Sequence, residues 1–347
     1  MISLPQLRIG SVALDFPVVQ AAMSGYSDWP MRVTAKRLGA AYALCEVMLE
    51  DFVSTVKQNH KNRRFLKLSA EEHPVGAQLM GTEPQRFQSA AKRLVETGFD
   101  VIDINLACPM KRLRNRCRGG LLLGEPETAK RIIESVCQAV GDKVPVTLKM
   151  RRGVDDSINS RDNFYRILDH AWNQGVQAVT VHGRTVHQKY CGPSNWAFLK
   201  EVKAVAGERV IIGSGDLFTA ADCLRMFAET GVDGVSIARG SIGNPWIFRE
   251  VRVLAAGEEI QPPTLFEQRD VILAHYQMAR EIDEPSRCSA RMRKFGIFYS
   301  RLHAQHEQVK QAYIRVRNCE EWEQVIAEWY AVDSPGVWPC FEKERMK

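Results

Sequence analysis

The chain has no apolar run approaching the roughly 18 residues of a membrane-spanning helix, and Met1 to Gly10 shows neither a basic leader nor a long apolar core. A soluble protein of the cytoplasm, with no membrane partner, is the expectation. Its nine cysteines, at positions 45, 108, 117, 137, 191, 223, 288, 319 and 340, form no CxxC pair and join no His-rich cluster. That argues against a disulfide scaffold and against a zinc site, so no metal is expected. No G-x-G-x-x-G turn follows the first strand-like run, which removes the fingerprint of an open dinucleotide-binding sheet. Low-complexity tracts are missing too, and 45% hydrophobic with 25% charged residues is an ordinary globular balance. A net charge of +6 over 347 residues is compatible with a nucleic-acid partner without requiring one. Oligomeric state is not settled by the sequence; a monomer is the expectation.

What is present is alternation. Short apolar runs of the kind that form doubly buried parallel strands occur at Pro17–Ala22, Tyr42–Val47, Val75–Met80, Asp100–Asn105, Val144–Met150, Gln177–His182, Arg209–Gly213 and Asp233–Ala238. Helical periodicity lies between them, as at Pro84–Thr97, Glu125–Val140 and Thr219–Thr230, with glycine at 98, 141 and 231 to end each helix. Such units, eight of them in about 250 residues, predict a (β/α)8 TIM barrel. Chemistry then gathers at the C-terminal ends of the strands. Those ends read Met23, Glu46, Gln78, Asn105, Lys149, His182, Gly213-Ser214-Gly215-Asp216 and Ala238-Arg239-Gly240. Each has a plain structural alternative: Gln78 can satisfy a backbone group, Lys149 can snorkel, His182 can be a bonded core histidine. Their convergence on one rim favours a site. The two glycine turns fall after strands seven and eight, where this fold often binds phosphate through backbone N–H groups.

The fourth run continues into Asn105-Leu106-Ala107-Cys108-Pro109. Cys108 is either a small buried hydrophobe or a thiol presented at a strand tip beside an amide. Behind it come Lys111, Arg112, Arg114, Arg116 and Arg118, which either bring a polyanion to the cysteine or keep a long loop soluble. Beyond Gln261-Pro262-Pro263 the strand-like runs stop. Helices at Phe266–Ile282, Ser286–His303, Glu307–Arg317 and Glu320–Tyr330 predict a small C-terminal helical bundle, dividing the chain into 1–256 and 257–347. Arg287, Arg291, Lys294 and Arg301 recur on one face of its second helix, as a solvated basic face or as the footprint of an RNA backbone.

Taken in order, Ala21-Ala22-Met23-Ser24-Gly25-Tyr26-Ser27-Asp28, Gln78-Leu79, Asp103 to Pro109, Thr147-Leu148-Lys149-Met150-Arg151, Val181-His182-Gly183-Arg184-Thr185, Gly213 to Asp216 and Ala238 to Phe248 resemble the successive motifs of the tRNA-dihydrouridine synthases, nearest the bacterial B-type branch. The helical region with Arg293-Lys294 and Tyr299 resembles that branch as well, so the likeness covers nearly the whole chain. It implies an FMN-dependent oxidoreductase that reduces the C5–C6 double bond of uridines in tRNA to 5,6-dihydrouridine, with NADPH recharging the flavin. By that pattern Cys108 is the proton donor. Ala22, Met23, Ser24, Gln78, Lys149 and His182 lie at the flavin ring, and Ser214, Gly215, Asp216, Ala238 and Arg239 hold its ribityl and phosphate. Asn105 and Arg184 approach the uracil. Lys111 and Arg112 match the family's basic pair, and Arg287, Arg291 and Lys294 belong to the expected RNA contacts. The chain departs from the pattern at Ala107 for glycine, Ser214 for asparagine and Ala22 for proline. Two other readings share these residues: an FMN barrel dehydrogenase acting on a free pyrimidine, and a non-catalytic RNA-binding protein.

Overall fold

A computed structural model describes residues 4–56, 62–109 and 118–341. Eight parallel strands close into a barrel: β1 (Val18–Gln20), β2 (Tyr42–Leu44), β3 (Val75–Met80), β4 (Val101–Leu106), β5 (Val146–Arg151), β6 (Ala178–His182), β7 (Val210–Ser214) and β8 (Gly234–Ile237). Each pairs with its successor, and β8 returns to β1 through Val235 opposite Val18 and Ile237 opposite Gln20, which closes the ring. All eight predicted runs are strands, with ends shifted by a few residues. A two-residue strand, Met48–Leu49, also pairs with the tip of β3.

The sequence of β4 shows why the barrel has two ends of different character. Ile102, Ile104 and Leu106 join the apolar layer between strands and helices, so the alternating residues Asp103 and Asn105 turn into the barrel. Low in the interior Val19, Tyr42, Leu44, Val101, Ala178 and Ile212 form an apolar plug. Leu7, Ile9 and Leu14 of an N-terminal antiparallel hairpin cap that plug from below. Toward the C-terminal ends the interior becomes polar, which leaves room and hydrogen-bonding capacity for a site.

The outer ring contains α1 (Trp29–Arg37), α2 (Glu50–Thr55), α3 (Pro84–Thr97), α4 (Pro126–Val140), α5 (Ile158–Asn173), α6 (Trp196–Ala206), α7 (Ala220–Thr230) and α8 (Ile247–Ala255). The predicted helices start and stop where their punctuation requires: proline opens α3 and α4, a Thr219/Asp222 capping box opens α7, and left-handed Gly98 and Gly231 close α3 and α7.

The C-terminal helices are α9 (Leu265–Ile282), α10 (Pro285–Tyr299), α11 (His306–Arg315) and α12 (Cys319–Trp329). The single helix predicted over Ser286–His303 ends at Tyr299 and tightens into a 3-10 turn at Ser300–Leu302. There the Leu302 carbonyl accepts from Gln268 Nε2 and from the Val337 N–H. These helices share one apolar core with the barrel: Met292, Phe295, Tyr313 and Trp322 pack in the same cluster as Met31, Ile242 and Trp246. Gly243, at φ +71°, allows the closest approach, since a Cβ there would overlap the backbone of Phe298. Among the described residues, no helix is long and apolar enough to cross a membrane.

Candidate active site

The strand tips surround one cavity of about 370 Å³, within the range of small-molecule sites. Ala22, Met23 and Ser24 follow β1, Gln78 is on β3, Asn105 and Cys108 are at β4, Lys149 on β5 and His182 on β6. Ser214, Gly215 and Asp216 come from the end of β7, and Ala238 and Arg239 follow β8. Arg151, Tyr190 and Phe218 also line it and were not singled out from the sequence. Arg151 sits two residues beyond Lys149 on the same strand, so strand parity alone could have found it. Tyr190 lies in a loop, and no local pattern marks it.

A chain of hydrogen bonds organises the floor. Asp103, buried beneath the cavity, accepts from Thr147 Oγ1 at 2.6 Å and from Gln78 Nε2 at 2.7 Å. Gln78 Oε1 accepts from Asn105 Nδ2 at 2.6 Å, and Asn105 Oδ1 accepts from the N–H groups of Ala107 and Cys108 at 3.0 and 2.9 Å. Asn105, expected at the uracil, thus lines the cavity while its amide holds the cysteine loop. Arg151 grips the same loop, donating from Nε to the Ala107 carbonyl at 2.7 Å, and the Gly120 N–H donates to the Cys108 carbonyl at 2.9 Å. Cys108 itself is half-buried.

Lys149, Arg151 and Arg239 give the cavity a positive field. The Lys149 ammonium is fully buried and has no hydrogen-bond partner. Burial pushes its pKa down to about 8, against the opposing pull of Asp103. Burial likewise lowers Arg151, to about 10. His182 is driven well below the usual imidazole range by burial and then by Arg151, Lys149, Arg184 and Arg239, so it is neutral. Its Nδ1 accepts from the Arg184 N–H at 3.2 Å, which leaves the proton on Nε2.

The turns after β7 and β8 are built against each other. A Cβ on Gly240 would overlap the Leu217 carbonyl oxygen, so only glycine lets them meet. Asp216 takes a left-handed backbone at φ +59°, a conformation aspartate tolerates better than most residues. Its carboxylate accepts from the Ser194 N–H at 2.8 Å and pairs with Arg184 at 2.7 Å; Arg239 lies 3.6 Å away.

The structure departs from expectation at the substrate residues. Arg184 does not approach the cavity: it is fully buried behind the wall, with Nε donating to the Gly192 carbonyl at 2.8 Å and Nη2 held by Asp216. The loop that supplies Gly192 and the turn that supplies Asp216 together pull the guanidinium away from the opening. Arg291 and Lys294 are likewise engaged by other parts of the chain. Arg291 is sandwiched between Asp283, at 2.5 Å, and Asp28. Lys294 donates to the Gly25 carbonyl and covers the Tyr26 ring at 3.8 Å. Arg287 is exposed. Lys111 and Arg112 lie outside the described residues. Among the described residues no group of three or more His, Cys, Asp or Glu side chains could hold a metal.

Likeness to known proteins agrees with this geometry. The family model described as dihydrouridine synthase matches residues 19–331. A protein named tRNA-dihydrouridine synthase B from Xanthomonas axonopodis pv. citri is 38% identical over 274 residues, covering 78% of this chain and 80% of the relative. Its Pseudomonas aeruginosa namesake is 33% identical over 78% and 79%. Among solved structures, histamine dehydrogenase from Rhizobium superposes with a TM-score of 0.55 at 16% identity, covering 79% of this chain and about half, 50%, of that one. Morphinone reductase in complex with tetrahydroNAD gives 0.53 at 11%, covering 74% and 92%. At such identities these two show a shared barrel fold and nothing finer. A barrel whose polar rim presents an unpaired lysine beside a braced cysteine, together with a family match over nine-tenths of the sequence, places the chain in the dihydrouridine synthase family.

Proposed function

We propose that the chain reduces the C5–C6 double bond of uridines in tRNA to 5,6-dihydrouridine, with FMN in the barrel cavity, NADPH as diffusible reductant and Cys108 as proton donor. The observation that carries this reading is the buried, unpartnered Lys149 ammonium in the same cavity as a thiol whose loop is held by Asn105, Arg151 and Gly120. The residues present fit FMN. An orphaned cation and the Gln78 amide suit a polar ring edge, with Ala22, Met23, Ser24 and neutral His182 around the ring. Ser214, Gly215, Asp216, Ala238 and Arg239 suit a ribityl chain and phosphate.

Bound there and reduced by NADPH, FMN would supply a hydride to C6 of the uracil. Negative charge then grows at C5 and O4, so a proton must arrive at C5 as the double bond closes. Cys108 gives that proton from Sγ and is left as thiolate. Arg151, whose charge is coupled to the Cys108 sulfur, steadies the thiolate until solvent returns the proton. The sum is uridine, NADPH and H⁺ converted to dihydrouridine and NADP⁺. A uridine inside folded RNA reaches a barrel mouth only by extrusion. The barrel, residues 1–256, does the chemistry, and the helical region 257–347 contributes to the grip on RNA, acting in the cytoplasm. Arg287, with exposed Arg315 and Arg317, remains available to phosphates, as do Lys111 and Arg112 by sequence. Asn105 stands nearest in role to the uracil among the expected contacts.

The test is to map dihydrouridine across total RNA from cells with and without this gene, and with Cys108→Ala in its place. Loss of specific sites in the deletion, unrestored by the variant, is the expected result. Identical maps in deleted and intact cells refute the reading.

A further inference from the structure

We propose that Asp103, which does not itself line the cavity, is a positioning residue that sets both the charge of Lys149 and the placement of Cys108 from beneath the floor. The proposal rests on the reading of the cavity as a flavin site, and it concerns a residue that reading does not use. Asp103 is 1% exposed, and its neighbours in register are Gln78 on β3 and Thr147 on β5. Both donate to it. One strand step higher, Asn105 lies opposite Lys149.

The direction of the hydrogen bonds carries the argument. Ionised, Asp103 can only accept, and at the other end the N–H groups of Ala107 and Cys108 can only donate. Between them are two side-chain amides, Gln78 and Asn105, and only one arrangement satisfies every bond: each amide presents NH2 toward Asp103 and oxygen toward Cys108. A carboxylate at 103 therefore fixes Gln78, which fixes Asn105, which fixes the backbone that carries the thiol. Such a fully satisfied buried chain is stiff, and cutting it at one point frees what lies beyond.

The same carboxylate faces Lys149, whose ammonium has no hydrogen-bond partner. The titratable groups around this pair are the Arg151 cation on β5 and neutral His182 on β6, with the Tyr42 phenol of β2 near Asp103. Asp103 is the one among them that favours the lysine cation; Arg151 opposes it. Burial raises the Asp103 carboxyl, and its bonds to Thr147 and Gln78 and the charge of Lys149 draw it back toward ionisation.

Two variants separate the two roles. Asp103→Asn keeps an oxygen for Gln78 and turns an amide to the Thr147 hydroxyl, so it removes charge and preserves the chain; Asp103→Leu removes both. In full-length holoprotein, FMN release on dilution is followed by flavin fluorescence across about pH 6–10, bracketing the perturbed lysine. Cys108 alkylation by iodoacetamide is followed by peptide mapping. In the wild type, FMN retention weakens as pH rises above about 8, the value at which Lys149 of the flavin-free protein loses its proton. In Asp103→Asn that break moves down by at least about one pH unit, with Cys108 alkylated at the wild-type rate. In Asp103→Leu the thiol is alkylated at least about fivefold faster as its loop loosens. Should Asp103→Leu fail to fold, Gln78→Met cuts the chain one residue nearer the thiol, and the same acceleration is expected. An unmoved pH break in Asp103→Asn overturns the charge role. Unchanged alkylation in the chain-cutting variants overturns the placement role. Failure of the wild type to hold FMN refutes the flavin reading instead, and the alkylation arm then decides the role of Asp103 alone.

Discussion

Replacing Arg291 by methionine tests whether the basic face of α10 grips RNA or grips the barrel. The side chain is 9% exposed and lies between Asp28 and Asp283, whose own side chains are 0% and 2% exposed. Asp28 also caps α1 by accepting from the Met31 N–H at 3.2 Å. Methionine keeps the apolar stem but removes the cation, which leaves two buried carboxylates facing each other. Breaking a buried pair in this way costs about 3–5 kcal/mol, or a fall of about 6–10 °C in melting temperature at roughly 2 °C per kcal/mol for a chain of this size. Arg287→Met, one helical turn earlier and exposed, provides the contrast: within about 0.5 kcal/mol of wild-type stability, but with the salt slope of RNA binding reduced by about 1. The assay is thermal unfolding of both variants beside titrations of RNA at several salt concentrations. If Arg291→Met melts with the wild type while its RNA affinity collapses, the docking of α10 described above is wrong and the basic-face reading is right.

Lys149→Ala removes the cavity's unpartnered cation, and a lost charge-assisted bond of about 1.5–3 kcal/mol predicts FMN binding weaker by roughly 10–150-fold; unchanged retention refutes it. Because burial holds the free lysine near 8 and an anionic ligand raises it again, FMN binding takes up a proton above about pH 8 and weakens as pH climbs through that value. Calorimetry in buffers of differing ionisation enthalpy shows this as buffer-dependent heat, and its absence counts against Lys149 as the ligand. Gly240→Ala forces the turns after β7 and β8 apart, and overpacking of about 1–3 kcal/mol predicts FMN affinity lowered by roughly 5–150-fold, measured by fluorescence quenching; wild-type affinity contradicts the close contact with Leu217. Arg184→Met removes the nearer of the two guanidiniums at Asp216, leaving Arg239 at 3.6 Å, and costs about 3 kcal/mol of stability with reduced FMN retention. A stable variant whose only defect is a raised KM for RNA would return Arg184 to the substrate.

The strand tips were legible because each buried run stops at a polar residue or glycine, and in a closed parallel barrel all such stops lie on one rim. Cys108, Lys149 and His182 were found that way. Asp103 and Thr147 stand within quoted motifs but carry no assigned role, because a polar residue within an alternating strand looks the same whether it faces water or a sealed interior. The resemblance alone sets Arg184 at the uracil, and nothing local in the sequence gives its direction. Its direction is decided by Gly192 and Asp216, which lie 8 and 32 residues away. The periodicity of α10 put Arg287, Arg291 and Lys294 on a common face, but periodicity cannot say what covers a face. Acidic Asp28 and the Gly25 carbonyl, in the turn after β1, claimed two of the three.

That grasp of the turn after β1 by α10 ties together segments made at opposite ends of synthesis. The first strand leaves the ribosome roughly 15–60 s before the helix that braces its turn, at typical elongation rates. Until then Tyr26 lacks the rings of Phe295 and Phe298 that meet it edge-on at 5.8 Å, and Met31 lacks its cover. The nascent polypeptide therefore carries an unsealed, greasy flank for most of its translation, a period in which holdase chaperones have something to bind and a prematurely stopped product has no finished mouth to offer a ligand.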